Sequence, residues 1–474
     1  MNRAALTSES RVAQRSTSHT LARSLRERDL LLLFVGSVIG SGIFLTPGLI
    51  LRQLSGSVGY SLIVWLAGGI LSLLGALTYA ELASANPEAG GLYCYIRDGF
   101  GRLPAFLYGW SLFLVIASAT IAALAHAFTT YLQEILPLSA TESSAVVLLV
   151  IAVVTVVNIW GTRKSSDMQK VTTLIKVGII LVLGIILLVL GLWQGKHVRD
   201  ISPAMGSPLS EYALFSSFGL AMITVLWAYE GWQFGTYSAG EVVDPQKAFP
   251  RAFLLGSLTL VGLYLVAIVG YLFALGPAGA TASDTIAAQA VSAGLGKGYG
   301  GVVALTILIS TFSAANSVIL TAPRVFYAMA NDHLFFKWLA SVHPRFKTPT
   351  VAIVGLGLWS AVLACWGNFA ELIGGVIFIG WVFYGLGAAA IFPIRRLAQG
   401  KPLAYRVPAY PLTPIVFVTA AAAIVVNASY SLVRDPEKFR HLTAAFVLLA
   451  LGLPAYFLWI WWAKRNATVA RSSV

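Results

Sequence analysis

The amino-acid sequence predicts an all-α polytopic membrane protein. Twelve transmembrane helices are expected, helices 1 and 6 broken, as two inverted units of five followed by two more. Three observations carry this. Of 474 residues, 58% are hydrophobic and only 11% charged, with mean hydropathy +0.80; a soluble domain carries about 25% charged residues. Apolar runs recur from Leu30 to Trp462, room for about twelve helices of ~20 residues each. Lysine and arginine collect in alternate connections, as they do in a chain threaded through a bilayer.

In chain order, the spans fall at 30–54, 59–84, 103–132, 145–160, 171–194, 212–240, 251–275, 299–330, 350–366, 370–393, 411–431 and 442–463. The leading tail, 1–29, carries six arginines. Its Arg/Ser-rich composition faintly resembles a transit peptide, but a polar cytoplasmic tail is the preferred reading. Arg97 and Arg102 separate spans 2 and 3; Arg163, Lys164 and Lys170 separate spans 4 and 5; Lys247 and Arg251 separate spans 6 and 7. Arg324, Lys337, Arg345 and Lys347 follow span 8, Arg395, Arg396, Lys401 and Arg406 follow span 10, and the closing tail, 464–474, holds three more. The connections between them carry Arg52, Lys196, Arg199, Lys297, Arg434, Lys438 and Arg440. The bias is 24 to 7, which predicts both termini in the cytoplasm; the membrane expected is the plasma (inner) membrane. It also accounts for the net charge of +13 without a nucleic-acid partner.

Spans 1–5 (30–194) and 6–10 (212–393) make two five-helix units, with spans 11 and 12 (411–463) appended. An odd number of spans per unit makes the second enter with opposite orientation. The first long segment of each unit is interrupted, at Gly40-Ser41-Gly42 and at Tyr229-Glu230-Gly231. Unwound backbone survives in hydrocarbon only where protein, water or substrate satisfies its polar groups. Matched breaks therefore point to a substrate site near the midplane.

The first break lies in Gly36-Ser-Val-Ile-Gly-Ser-Gly-Ile-Phe44. The half-helix after it exposes N–H groups from Ser41 to Ile43 at a partly positive helix start, suited to a carboxylate. Carbonyls before it, at Val38 and Ile39, are left to accept from an ammonium. An α-amino acid satisfies both ends. The alternative is a small-residue packing face from Gly36 to Gly40. No Gly-Lys-Ser/Thr follows, so this is not a phosphate loop. In Leu226-Trp-Ala-Tyr-Glu-Gly-Trp-Gln-Phe234, carbonyls from Trp227 to Glu230 would complete the ammonium site. Trp227 is a candidate gate, unless it and Trp232 are packing or interfacial residues.

These motifs resemble the APC superfamily of amino-acid transporters, in its L-type and bacterial serine/threonine exchanger branch. Gly40-Ser-Gly-Ile-Phe44, Tyr79-Ala-Glu81 with Gly90-Gly-Leu-Tyr93, Leu103-Pro-Ala-Phe106 and Ala228-Tyr-Glu-Gly-Trp232 carry the resemblance, with Arg324-Val-Phe326, His343-Pro and Thr348-Pro after span 8. Each is weak alone; their order over 30–350 is specific. The resemblance implies a LeuT-type fold, carriage of neutral L-amino acids by exchange or uniport, the carboxylate on Ser41, Gly42 and Ile43, and Val38, Trp227, Ala228 and Glu230 on the ammonium side.

Lys176 sits inside span 5, at a cost of ~2.5–3.5 kcal/mol on insertion scales. Either it snorkels to the cytoplasmic end or its ammonium contacts broken span 1. By the resemblance it would then stand where sodium-coupled relatives bind Na⁺, making the cycle sodium-independent. Tyr271 in span 7 matches a family tyrosine linking spans 1 and 8, or is packing. Glu230, an intramembrane carboxyl where L-type members usually have glycine, is a hydrogen-bonded structural group, a proton-coupling group or a recognition group for cationic substrates. The second and third of these, with a titrating His126, support an alternative, proton-coupled symport of amino acids or of cationic amino acids and amines. His126 is a titrating or a structural histidine. Glu81 and Glu241 are inner-gate partners for groups such as Arg324, or solvated helix ends. Ser118, Ala119 and Ala123 leave room for a substrate side chain. Cys94 and Cys365 make neither a disulfide framework nor a metal site. No cofactor or metal is expected, and no enzyme motif stands out. L-type light chains carry a cysteine between spans 3 and 4 for a disulfide to a heavy chain; Gln133 to Ala145 has none, so no covalent partner is expected.

Overall fold

A computed structural model describes residues 23, 25–160, 162–195, 211–341, 343, 348–397, 404–434 and 440–472. Most of the N-terminal tail, with Arg3, Arg11 and Arg15, and the connection residues Lys196, Arg199, Arg345, Lys347, Lys401 and Lys438 lie outside the described residues.

The described residues are mostly helical, with one isolated bridge among them, Leu25 to Val242. The helices are α1 Glu27–Val38, α2 Gly42–Gln53, α3 Val58–Ala85, α4 Leu92–Phe100, α5 Arg102–Ser111, α6 Ala117–Leu132, α7 Ala140–Ile159, α8 Thr162–Trp193, α9 Glu211–Ala228 and α10 Phe234–Tyr237. Then come α11 Pro245–Ala282, α12 Ile286–Leu295, α13 Gly300–Thr321, α14 Pro323–Asn331, α15 Thr350–Trp366, α16 Phe369–Ala389, α17 Ile391–Leu397, α18 Leu412–Arg434 and α19 Arg440–Ser472. Among the described residues, nine helices are long and apolar enough to cross a membrane, up to ten if the bent pair α1–α2 is one span. The expected spans 6 and 9 appear as shorter apolar helices, Ser216–Ala228 and Thr350–Trp366. Span 6 is cut short by its break. Span 8 divides at Ala322 into α13 and α14, where Pro323 opens the second helix. Helices α8 and α11 begin several residues before the apolar runs that announced them, because their polar first turns leave the hydrocarbon without leaving helical geometry.

Local chemistry sets several starts. Ser139 and Glu142 form a capping box on α7, as Asn368 and Glu371 do on α16; each satisfies N–H groups that a helix start leaves unpaired. Pro245 occupies the first turn of α11 after Asp244, a position where a missing N–H costs nothing. Between α5 and α6, Leu112–Ile116 forms a π turn. Trp359 Nε1 donates to its Leu114 carbonyl at 2.7 Å and Ser118 Oγ to Phe113 O at 2.6 Å, so the widened turn keeps its acceptors satisfied.

Helices α6, α13 and α16 are mostly buried, whereas α7, α8, α18 and α19 present much of their apolar surface outward. Leu149, Val182, Val426 and Phe457 are among the large exposed side chains. A polar solvent would penalise that surface and lipid does not, so these helices form the lipid-facing shell. The bent pair lies within it: α1 packs on α8, α11 and α13, and α2 on α9, α11 and α12.

Candidate substrate site

Helix α1 ends where Ile39 turns extended (φ −72°, ψ 92°). Helix α2 restarts at Gly42 with a 42° bend. Helix α9 ends at Ala228, the chain turns through Tyr229–Gln233, and α10 begins at Phe234. The second break is therefore two residues longer than expected. Gly231 has φ +119°, a conformation glycine tolerates and side chains resist. The breaks touch. A Cβ on Gly42 would lie 2.3 Å from Ala228 Cα, and one on Gly231 2.7 Å from Ser37 O.

The backbone N–H groups of Phe44 and Leu45 both bond Ser41 O at 3.1 Å. The N–H groups of Gly42 and Ile43, at the start of α2, precede any intrahelical acceptor and carry the positive end of its dipole. Trp227 Nε1 donates to Ser41 Oγ at 3.2 Å, and the indole stands edge-on to Phe369 at 6.0 Å.

The freed carbonyls already receive donors from the protein. Lys176 Nζ donates to Gly36 O (3.2 Å) and Ile39 O (2.9 Å). The lysine is only 1% exposed and points into the bundle rather than to either surface. Ser310 Oγ donates to Ile39 O and Gly40 O at 3.4 and 3.3 Å. Tyr264 Oη donates to Ala228 O at 3.0 Å and Val38 O at 3.4 Å, tying the two breaks together. Tyr264, not Tyr271, is thus the span 7 tyrosine with hydrogen bonds to the broken helices; Tyr271 lies buried two turns further along α11.

Glu230 is 6% exposed. Its Oε1 accepts from Tyr384 Oη at 2.5 Å and Gln233 Nε2 at 2.5 Å, and Gln233 also donates to the Tyr384 hydroxyl at 2.8 Å. Glu230 lines a small cavity with Ser37, Val38, Gly40, Ser41 and Gly42 from the first break, Trp227 and Phe234 flanking the second, and Thr120, Leu124, Ala314 and Val318 from α6 and α13. The cavity measures ≈ 20 Å³, room for about one water molecule and less than an amino acid needs. A larger cavity of ≈ 380 Å³ lies apart from the breaks, among α15, α16, α19 and the π turn. Its lining is mainly apolar and includes no break residue, so size here does not mark the chemistry.

Five of the expected residues, Val38, Ser41, Gly42, Trp227 and Glu230, line one cavity; Ile43 and Ala228 are buried beside it. Trp232 turns away, packed against Tyr79, Tyr384 and Phe417. Ser118, Ala119 and Ala123 do not line the cavity; Thr120 and Leu124 of the same helix do. Sequence reasoning missed Tyr264, Ser310, Gln233 and Tyr384, whose types carry no signal until the helices are packed. Gln233 alone stood within a motif already singled out.

On the face where α1 begins, Glu241 pairs with Arg324 at 2.5 Å. Glu81 instead takes Arg395 through both oxygens at 2.6 Å, and the Val407 N–H. His126 Nε2 lies 3.0 Å from Ala364 O, away from the cavity lining. Cys94 and Cys365 are free thiols. Among the described residues no group of His, Cys, Asp or Glu is placed to hold a metal ion.

Residues 25–468 match the family model described as "Amino acid permease". The serine/threonine exchanger of Bacillus subtilis is 31% identical over 434 residues, 90% of this chain and 94% of that protein. The mouse large neutral amino acids transporter small subunit 2 is 30% identical, covering 91% of this chain and 80% of that protein. The human cystine/glutamate transporter is 29% identical, covering 91% and 84%.

Proposed function

Since the chain belongs to the amino acid permease family, we propose that it carries neutral L-amino acids across the plasma membrane by alternating access, exchanging one for another without sodium. The observation that carries this is the contact between two helix breaks around one cavity. An unpaired helix start faces it from one side, and acceptors face it from the other. An α-carboxylate suits the N–H groups of Ser41, Gly42 and Ile43. The ammonium side is then made by Val38, Trp227, Ala228 and Glu230, with Trp227 closing over the substrate. The relatives named as exchangers and neutral amino-acid transporters support the choice of cargo.

Lys176 supports sodium independence. Its fixed ammonium bonds the carbonyls of the first break, so a positive charge is supplied there by the chain itself. In this reading α1–α2, α3, α5–α6, α7 and α8 form one five-helix unit (30–194). Helices α9–α10, α11, α13–α14, α15 and α16 form the inverted second unit (212–393), and α18 and α19 follow (411–463). Both termini are cytoplasmic. The absence of cysteine from Gln133 to Ala145 supports a carrier with no disulfide-linked heavy chain.

The second reading, proton-coupled symport, has one observation in its favour: Glu230 is a buried carboxyl to which, among the described residues, no basic group is bonded. Uptake of labelled neutral amino acids into proteoliposomes separates the two. Exchange predicts uptake that requires internal amino acid and ignores Na⁺ and pH gradients. Uptake into empty vesicles driven by an inward proton gradient refutes exchange in favour of symport.

A further inference from the structure

We propose that the Glu230 side chain is the counter-charge for the substrate's α-ammonium, and that it makes the protein select amino acids over amine-free analogues. The inference rests on the reading of the cavity as a substrate site.

The argument starts from which acceptors at the breaks are already taken. Val38 O and Ala228 O accept from Tyr264, Ile39 O from Lys176 and Ser310, and Gly40 O from Ser310. Each carbonyl keeps a second lone pair, but a lysine ammonium already sits on the first break, and a second cation beside it meets like-charge repulsion. The Glu230 carboxyl differs. Among the described residues, both of its hydrogen bonds fall on Oε1. Oε2 takes none among the described residues, and the side chain is one of those lining the cavity.

Among the described residues, no basic side chain pairs with this group. Lys176, the buried cation on the other side of the first break, is committed to Gly36 O and Ile39 O. A carboxylate at membrane depth without a cation is costly. An α-ammonium arriving at Oε2 removes that cost, while its carboxylate reaches the start of α2. Tyr384 and Gln233 hold the carboxyl by Oε1, so Oε2 is presented without loss of side-chain freedom on binding. A 2-hydroxy acid offers the same carboxylate and side chain but no cation, and leaves Glu230 unbalanced inside the closed site.

The test uses the full-length protein in proteoliposomes preloaded with amino acid, as wild type, Glu230→Gln and Glu230→Asp. Labelled L-alanine and L-leucine are the probes; L-lactate and L-2-hydroxyisocaproate compete as their amine-free counterparts. The wild type is expected to prefer the amino acids strongly. Glu230→Gln, which keeps an Oε1 acceptor for Tyr384, should weaken apparent affinity for the amino acids about tenfold or more, the scale of a lost charged hydrogen bond. The hydroxy acids should be unaffected, so the preference collapses, and Glu230→Asp should retain it. A purely structural role would lower both classes together. That result, or an unchanged preference in Glu230→Gln while the wild type still exchanges amino acids, overturns the inference alone. Failure of the folded wild type to carry any amino acid overturns the carrier reading and the inference with it.

Discussion

Gly42 has no room to change. A methyl group there meets the Ala228 backbone at 2.3 Å, which no side-chain rotation relieves. Gly42→Ala should cut exchange at least a hundredfold by forcing the breaks apart, read in proteoliposomes with protein folding checked by size exclusion. Lys176→Ala removes the donor to Gly36 O and Ile39 O. Gly36 O then loses that donor and Ile39 O keeps only the longer bond from Ser310, at a cost of about 1–3 kcal/mol. Exchange should slow about tenfold or more and lose tight coupling; a variant that stays fast and coupled would sink the role assigned to this lysine. Tyr264 shows how fine the sequence evidence is. It lies seven residues before Tyr271, on nearly the same helix face, since seven residues make close to two turns. Only the packing of α11 against both breaks decides which hydroxyl reaches them.

Among the elements, α4 was not anticipated as a helix in its own right. It lies between the second and third spans and is tied down by charge. Arg97 pairs with Asp98 and Asp332 at 2.8 and 2.9 Å and with Glu88 at 2.9 Å. Its side-chain bonds to those three carboxylates hold the guanidinium above its ordinary range despite partial burial. Burial pushes the Tyr93 hydroxyl up, and its bond to Asp332 adds to the shift. The Cys94 thiol, against the Ala89 carbonyl, is likewise raised by burial. A raised thiol has little thiolate near neutral pH, and thiolate is the reactive form. Maleimide at pH 7 should therefore leave Cys94 unmodified in the folded protein, while the exposed Cys365 reacts, as peptide mass spectrometry can check. Equal labelling of both would contradict the burial of α4.

At the scale of the whole molecule, the face where α1 begins is locked by Glu241–Arg324, Glu81–Arg395, Asp29–Lys170 and the Arg97 network. The opposite face has Arg52–Asp284 and the looser Glu371–Arg440 pair. The cavity between them, at ≈ 20 Å³, is closed down. Alternating access requires the first face to part. Glu241 and Arg324 are mostly buried, 15% and 14% exposed, so losing one partner strands a charge more than at a solvated surface pair. Arg324→Ala should slow exchange about tenfold and speed alkylation, from the N-terminal face, of a cysteine placed at Ser317, where α13 meets Ser37 of α1. Much of this architecture was readable from the chain alone, because hydrocarbon imposes strong local rules. Apolar length marks a span, basic residues mark a face, and a glycine-rich interruption is permitted only where something satisfies the backbone. Those rules act along the chain, so they identified membrane insertion, the two breaks and the residues beside them. They do not act between distant segments. That Ala228 seats on Gly42, that Tyr264 rather than Tyr271 ties the breaks, that Glu81 takes Arg395, and that Tyr384 holds Glu230 all depend on helix packing. Hydrogen-bond partners from 36 to 314 residues apart are chosen by distance and direction in space, and these exist only once the helices are assembled.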